Sequence, residues 1–227
     1  MNFRSLDLPN RIILSLSVIA AAIYLMDPFQ TGHPVRIAIK GSACIFLAIA
    51  AYRLMPTGHR QKLLTLALLF SSGGDIFLAL HVTDFFVHGL GSFLIAHLIY
   101  ISIFAHARDW SPQTKVHNLL SVLVILGGFA ITGLLWPHLG PLKAPVVVYV
   151  IVICLMAISA IFSTFADRWI IAGALSFVIS DSLIAINKFL TPFDAAGPLI
   201  WITYMGAQYM LAYAIIKGPQ PLRRKAA

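Results

Sequence analysis

The chain has 227 residues, of which 59% are hydrophobic and 11% charged, and its formal charge is +8. No single soluble core of this size hides that much apolar surface, and a nucleic-acid reading would need an aqueous basic face that the composition does not leave. The apolar residues fall instead in runs of roughly 18, the length that crosses about 30 Å of hydrocarbon, so the fold expected is all-α: a polytopic membrane protein with eight transmembrane helices.

In chain order the runs are 12–26, 37–54, 63–80, 86–105, 119–136, 144–162, 169–186 and 198–216. The first is short and resembles a signal-peptide core. Its small residues Ala20, Ala21 and Ala22 lie inside the run rather than after it, so it reads as a span. Glycine and proline occur within the runs, which spanning helices tolerate. Connections are short, so consecutive helices are expected to be antiparallel neighbours. Residues 1–227 form a single transmembrane domain with possible halves 1–110 and 111–227.

Basic residues set the expected orientation. With the N-terminus in the cytoplasm, the inner side carries Arg4, Arg11, Arg53, Arg60, Lys62, Arg108, Lys115, Arg168, Lys217, Arg223, Arg224 and Lys225. The outer side carries Arg36, Lys40, Lys143 and Lys188. Twelve against four is a positive-inside bias, and an even number of spans returns the C-terminus to the cytoplasm. The expected location is a bacterial inner membrane. Cys44 and Cys154 lie within spans two and six, with no metal-site or disulfide spacing, and read as small apolar fillers.

The acids narrow the question. There is no glutamate, and Asp7, Asp27, Asp84, Asp109, Asp167 and Asp194 fall in the N-terminal tail, in loops or at span ends. Asp75 in span three and Asp181 in span seven do not. A charge at such depth costs about 2.5–3.5 kcal/mol on insertion scales and marks a functional interior. Asp75 follows Lys62 by 13 residues, and Asp181 follows Arg168 by 13. Each carboxylate is then expected ~20 Å from the inner edge, at one depth. FSSGGDIFLAL (70–80) loosely matches FVISDSLIAI (177–186), and AHLIY (96–100) matches AQYML (207–211). These likenesses hint at two parallel four-helix repeats.

Other polar groups reach the same layer. Lys40, four residues past Arg36, is expected just below the outer edge, either snorkelling or functional. His97 and Gln208 fall near the midplane, and a structural role for His97 competes with a catalytic one. Ser71, one turn before Asp75, is expected either to line the site or to bond its own backbone. Lys188 lies seven residues past Asp181, on the same helix face and near the surface. It suits a lipid phosphate or a plain anchor.

The motifs SSGGD (71–75), GSFLIAHLIY (91–100), FVISDSLIAINKF (177–189) and YMGAQYMLAY (204–213) resemble the YhhN-like lysoplasmalogenase family, over all eight helices. IAIKGS (37–42) is a fainter match, with Gly41 where the family usually has proline. The resemblance implies an eight-helix membrane hydrolase that cleaves the vinyl ether of lysoplasmalogens to a fatty aldehyde and a glycerophospho-alcohol. It implies Asp75 and Asp181 as the catalytic pair, with Lys40, His97, Tyr100, Tyr204 and Gln208 lining the site; Ser71 and Lys188 join these as substrate-binding candidates by their position alone. The implied partner is a lysophospholipid within the bilayer, among other membrane lipids, with no nucleic acid. No cofactor or metal is required, and the oligomeric state is left open.

That chemistry suits two carboxyls. A vinyl ether hydrolyses by protonation of its β-carbon, and glycosidases meet a related oxocarbenium ion with a carboxyl pair. Burial and a second carboxylate both favour one shared proton, and the pair titrates as a unit. Three rivals stay open: a proton-coupled transporter using the same aspartates, a zinc-dependent lipid-amide hydrolase, and a lipid scaffold with the aspartates as helix glue. For the zinc reading, His97 is the one histidine at site depth, with His81 and His88 at span ends. Lys40 and Lys188 are expected to govern head-group binding rather than chemistry.

Overall fold

The computed structural model describes residues 6–26, 32–80, 85–108, 114–165 and 168–219. Among these there are eight long helices: α1 (Leu8–Met26), α2 (Pro34–Leu54), α3 (His59–Ala79), α4 (Phe85–His106), α5 (Lys115–Leu135), α6 (Lys143–Ile161), α7 (Arg168–Phe189) and α8 (Ala196–Lys217). Each expected span is found, and each helix is long and apolar enough to cross a membrane. Most start before the apolar run does. Hydropathy ends at the hydrocarbon edge, whereas the hydrogen-bonded helix continues until it is capped. α2, for example, begins at Pro34 behind the His33 cap, whose ring nitrogen accepts from the Val35 amide at 3.2 Å. α8 ends at Gly218, whose φ of 91° suits glycine. Arg4, Asp27, His81, Asp84, Asp109, Asp167, Arg223, Arg224 and Lys225 lie outside the described residues.

The chain packs as two units, Met1–Tyr100 and Ile101–Ala227, with the division falling inside α4. In the first unit α2 packs against both α1 and α3. Lipid tails are as apolar as leucine, so helices associate here through close packing of small residues and interhelical hydrogen bonds. α2 buries Ala43, Cys44, Ala48, Ala50 and Ala51 along this seam. The Ser17 hydroxyl of α1 donates to the Ala43 carbonyl at 2.7 Å. At the far end, Arg53 of α2 donates to the Asn10 side chain at 2.9 Å.

α3 is held between two neighbours by the small residues of its SSGGD motif. Ser72 donates to the Gly41 carbonyl of α2 at 2.9 Å. A Cβ on Gly41 would meet Ile76 at 2.7 Å, so glycine at this position is what lets α2 and α3 touch. On the other side, Ser92 of α4 donates to the Phe70 carbonyl at 2.6 Å. A Cβ on Gly74 would stand 2.5 Å from the Phe93 ring. Gly74→Val is therefore expected to force α3 and α4 apart at a cost of about 1–3 kcal/mol, the usual range for overpacking. A lowered melting temperature of the purified protein, partly recovered by adding Phe93→Leu, is the expected result. An unchanged melting temperature would contradict it.

In the second unit α7 packs mainly on α8 and also on α6, which lies against α5. Two short 3-10 turns, Trp136–His138 and Gly140–Leu142, join α5 to α6. The same devices recur. Ser176 and Ser180 of α7 donate to the carbonyls of Thr203 and Ile200 on α8, at 2.7 and 3.0 Å. Gly173 brings the Leu211 backbone within 3.1 Å of its Cβ position. Cys44 is fully buried, as a small filler would be, whereas Cys154 is half-buried and its thiol donates to the Val124 carbonyl at 3.7 Å. α5 turns Leu123, Leu126, Phe129 and Leu134 outward, the surface that suits lipid.

Candidate active site

In the first unit the polar centre follows from the α2–α3 crossing. Gly41 and Ser72 set the closest approach, and Lys40 precedes Gly41 while Asp75 follows Ser72 by one turn. The crossing therefore carries the two charged side chains into one place. Lys40 Nζ lies 3.8 Å from Asp75 Oδ1, with side-chain exposures of 13% and 3%. A carboxylate this deeply buried is tolerated when a counter-charge accompanies it.

Ser71 is fully buried one turn before Asp75, on the same face of α3. The alternative that it bonds its own backbone is not what the structure has: its hydroxyl finds no hydrogen-bond partner among the described residues. A buried hydroxyl without a partner is costly and calls for an explanation. On α4, Phe93 faces α3 through Gly74. His97 and Tyr100 follow it by one and two turns on that face, and both are fully buried. Beside the ion pair, Tyr24 of α1 presents its ring face to two cations. Arg36 Cζ lies 4.9 Å and Lys40 Nζ 5.6 Å from its centre.

The second unit holds a comparable arrangement around Asp181. Tyr149 of α6 donates its phenolic hydrogen to Asp181 Oδ2 at 2.5 Å. Tyr204 of α8 packs edge-on against Phe177 of α7, with ring centres 5.4 Å apart, and tilted against Trp201 at 5.7 Å. Gln208, one turn past Tyr204, is fully buried. Lys188 stands exposed in the last turn of α7, two turns beyond Asp181.

The structure thus brings Lys40 and Asp75 together in one unit, with Ser71 one turn away. In the other it brings Asp181 together with Tyr149. Each aspartate takes its partner from the second turn of the preceding helix, Lys40 on α2 and Tyr149 on α6. One partner is an ammonium and the other a phenol. Sequence reasoning missed Tyr149 and Tyr24. The available signal for Tyr149 was chemical: VVVYVIVI (146–153) is aliphatic except for one phenol, and a buried phenol needs an acceptor. Among the described residues no three His, Cys, Asp or Glu side chains cluster as metal ligands would.

Comparison with known proteins adds the family. The model of the YhhN family matches residues 35–215. A protein of Mycobacterium bovis named lysoplasmalogenase is 34% identical over 83% of this chain and 73% of its own length. Human lysoplasmalogenase TMEM86A is 34% identical over 79% of this chain and 76% of its own, and the Bos taurus protein of that name 32% over the same shares. No solved structure matches.

Proposed function

Because the chain belongs to the YhhN family, we propose that it is an integral membrane hydrolase of lysoplasmalogens. It cleaves their vinyl ether to a fatty aldehyde and a glycerophospho-alcohol. The observation that carries this reading is the 34% identity over 83% of the chain to a protein named lysoplasmalogenase. The burial of Asp75 beside Lys40 and the hydrogen bond from Tyr149 to Asp181 support an acid–base mechanism.

A vinyl ether is inert to base and to ordinary nucleophiles, so catalysis begins with an acid. A carboxylic acid gives its proton to the β-carbon, and the vinyl C=C electrons form the new C–H bond. The α-carbon becomes an oxocarbenium ion, stabilised by a carboxylate. Water adds to that carbon and loses a proton to the carboxylate. The hemiacetal then breaks its bond to the glycerol oxygen, which takes the proton just gained by the second carboxyl and leaves as the alcohol, while the hemiacetal hydroxyl returns its proton to the first carboxyl as the C=O bond forms and the aldehyde departs. Asp75 and Asp181 are the residues proposed for the two carboxyl roles. The Lys40 ammonium at 3.8 Å holds Asp75 in place, and the buried Ser71 hydroxyl offers a hydrogen bond to the substrate. Lys188, His97, Tyr100, Tyr204 and Gln208 are proposed as further lining. Tyr149 is a positioning residue that fixes Asp181 Oδ2.

The test is aldehyde release by detergent-purified protein, with alkenyl and acyl lysolipids side by side. Release from the alkenyl lipid alone is expected. A protein without turnover in detergent, but active in moving protons or lipid across vesicles, would favour a transporter that uses the same aspartates. Tyr149→Phe removes one hydroxyl and keeps the ring. It is expected to lower kcat roughly tenfold with KM little changed, the scale of a hydrogen bond to a charged group. Unaltered kcat would separate Tyr149 from the reaction.

We also propose cytoplasmic termini and a bacterial inner-membrane location, on the basic-residue asymmetry of the sequence. A reporter joined after Ala227 is expected to be active only if its activity needs the cytoplasm. Activity in a periplasm-dependent reporter would reverse the assignment.

A further inference from the structure

We propose that Ser71 holds the attacking water of the reaction, between its own hydroxyl and the Asp75 carboxylate, and that Asp75 is the carboxyl that takes the water's proton. This rests on the hydrolase reading above and deepens it: the reactant that the Ser71 hydroxyl bonds is the water, and the two acids receive separate roles.

The observation that carries it is an exception in the hydrogen bonding. Among the described residues seven serines are buried. Ser17, Ser72, Ser92 and Ser180 donate to carbonyls of a neighbouring helix, and Ser121 and Ser163 to carbonyls three or four residues back, all at 2.6–3.0 Å. Ser71 is 0% exposed, and its hydroxyl meets no partner among the described residues. A helical serine has the carbonyl four residues back within reach, as Ser121 shows, and Ser71 does not take it. A buried hydroxyl left unbonded is costly, and a ligand that supplies the missing bond accounts for it.

Position says which ligand. Ser71 lies one turn before Asp75 on one face of α3, and helical side chains lean toward the N-terminus, which carries the carboxylate toward the hydroxyl. Residues so spaced have Cβ atoms about 5–6 Å apart. No direct hydrogen bond joins the two side chains, and a single water bridges such a gap. At 0% exposure Ser71 has no opening for a glycerol backbone, whereas a buried water needs little room and two to four polar partners. The Lys40 ammonium, 3.8 Å from Asp75 Oδ1, accompanies the carboxylate.

One hydrogen on Asp75 and the Ser71 hydroxyl on the other side leave the water a lone pair for carbon. That pair forms the C–O bond to the oxocarbenium carbon, the O–H bond breaks, and the proton passes to Asp75. Ser71 exchanges no proton and is a positioning residue. The second acid has no such device. Phe177 stands one turn before Asp181, fully buried, with its ring centre 5.4 Å from that of Tyr204. Asp181, fixed by Tyr149, is then the acid that protonates the β-carbon.

The experiment compares purified full-length wild type with Ser71→Ala, which removes the hydroxyl alone. A fall in kcat of roughly tenfold is expected, the scale of one hydrogen bond. Affinity for an uncleavable 1-O-alkyl lysophospholipid should be unchanged, and the melting temperature should not fall, because no hydrogen bond within the protein is lost. The decisive readout is in heavy water. Wild type commits once the β-carbon is protonated, so alkenyl lipid recovered at half conversion stays free of deuterium. With the water poorly held, the oxocarbenium ion returns a proton before it is attacked. Lipid recovered from Ser71→Ala should therefore carry deuterium at the β-carbon, and the solvent isotope effect on kcat should shrink.

A lower kcat with no more deuterium than wild type would overturn the proposal and place Ser71 at the first proton transfer. Lost affinity for the alkyl lipid would overturn it in favour of a lipid contact, and a lowered melting temperature in favour of a structural serine. Aldehyde release that is the same in wild type and Ser71→Ala would overturn this inference and leave the hydrolase reading standing. A wild type that releases no aldehyde would overturn both.

Discussion

Asp75→Asn and Asp181→Asn are each expected to lower kcat for aldehyde release at least roughly a hundredfold, the low end for a residue that transfers a proton in the rate-limiting step. Asparagine keeps the shape of the side chain and some of its hydrogen bonds, so each variant should insert, purify and bind lipid. It has no proton to give to carbon and no negative charge to set against an oxocarbenium ion. The double variant should be little slower than the slower single one, because groups that act as a unit are non-additive. Rates in heavy water should fall as well, since proton transfer to carbon is expected to limit the reaction. The measurement is single-substrate kinetics on purified variants. Near-normal kcat for a well-folded Asp181→Asn would sink the paired-carboxyl mechanism and leave Asp75 to act with another group.

Lys40→Met should give the second largest effect, on both stability and rate. Methionine has similar length and no charge, so the substitution leaves Asp75 buried without the ammonium now 3.8 Å away. Removing one partner of a buried ion pair costs about 3–5 kcal/mol when the other is left in place. A fall of several degrees in melting temperature is expected, with kcat at least about tenfold lower. Lys40→Arg should retain most of the stability. The double variant Lys40→Met with Asp75→Asn should regain stability without regaining activity, which separates the structural contribution of the pair from the chemical one. Lys40→Met with wild-type melting and a change in KM alone would return Lys40 to a head-group role.

The contrast between Lys40 and Tyr149 marks where reading the sequence stops. Lys40 stood out because a charged residue inside an apolar run is expensive. Its expected place was above the carboxylate, toward a head group, and its contact with Asp75 depends on Gly41 allowing α2 to close on α3. Tyr149 drew no attention, since a tyrosine in an apolar helix is cheap and its one polar atom can find many acceptors. Only the packing of α6 on α7 selects Asp181 as that acceptor. Ser71 teaches the same lesson from the other side. Its sequence position allowed a bond to its own backbone, whereas in the structure its hydroxyl has no hydrogen-bond partner among the described residues.

By itself the sequence determined the class, the eight spans and the two acids that needed explaining. Those properties depend on how hydrophobicity and charge are distributed along the chain, and the cost of a charge in hydrocarbon does not depend on which helices are neighbours. The tertiary structure decided the partners: Lys40 for Asp75, Tyr149 for Asp181, and Tyr24 beneath Arg36 and Lys40. Partnership depends on distances of a few ångströms between residues far apart in the chain. The first of them follows from how closely Gly41 lets α2 approach α3, and a one-dimensional pattern of apolar residues does not contain that information.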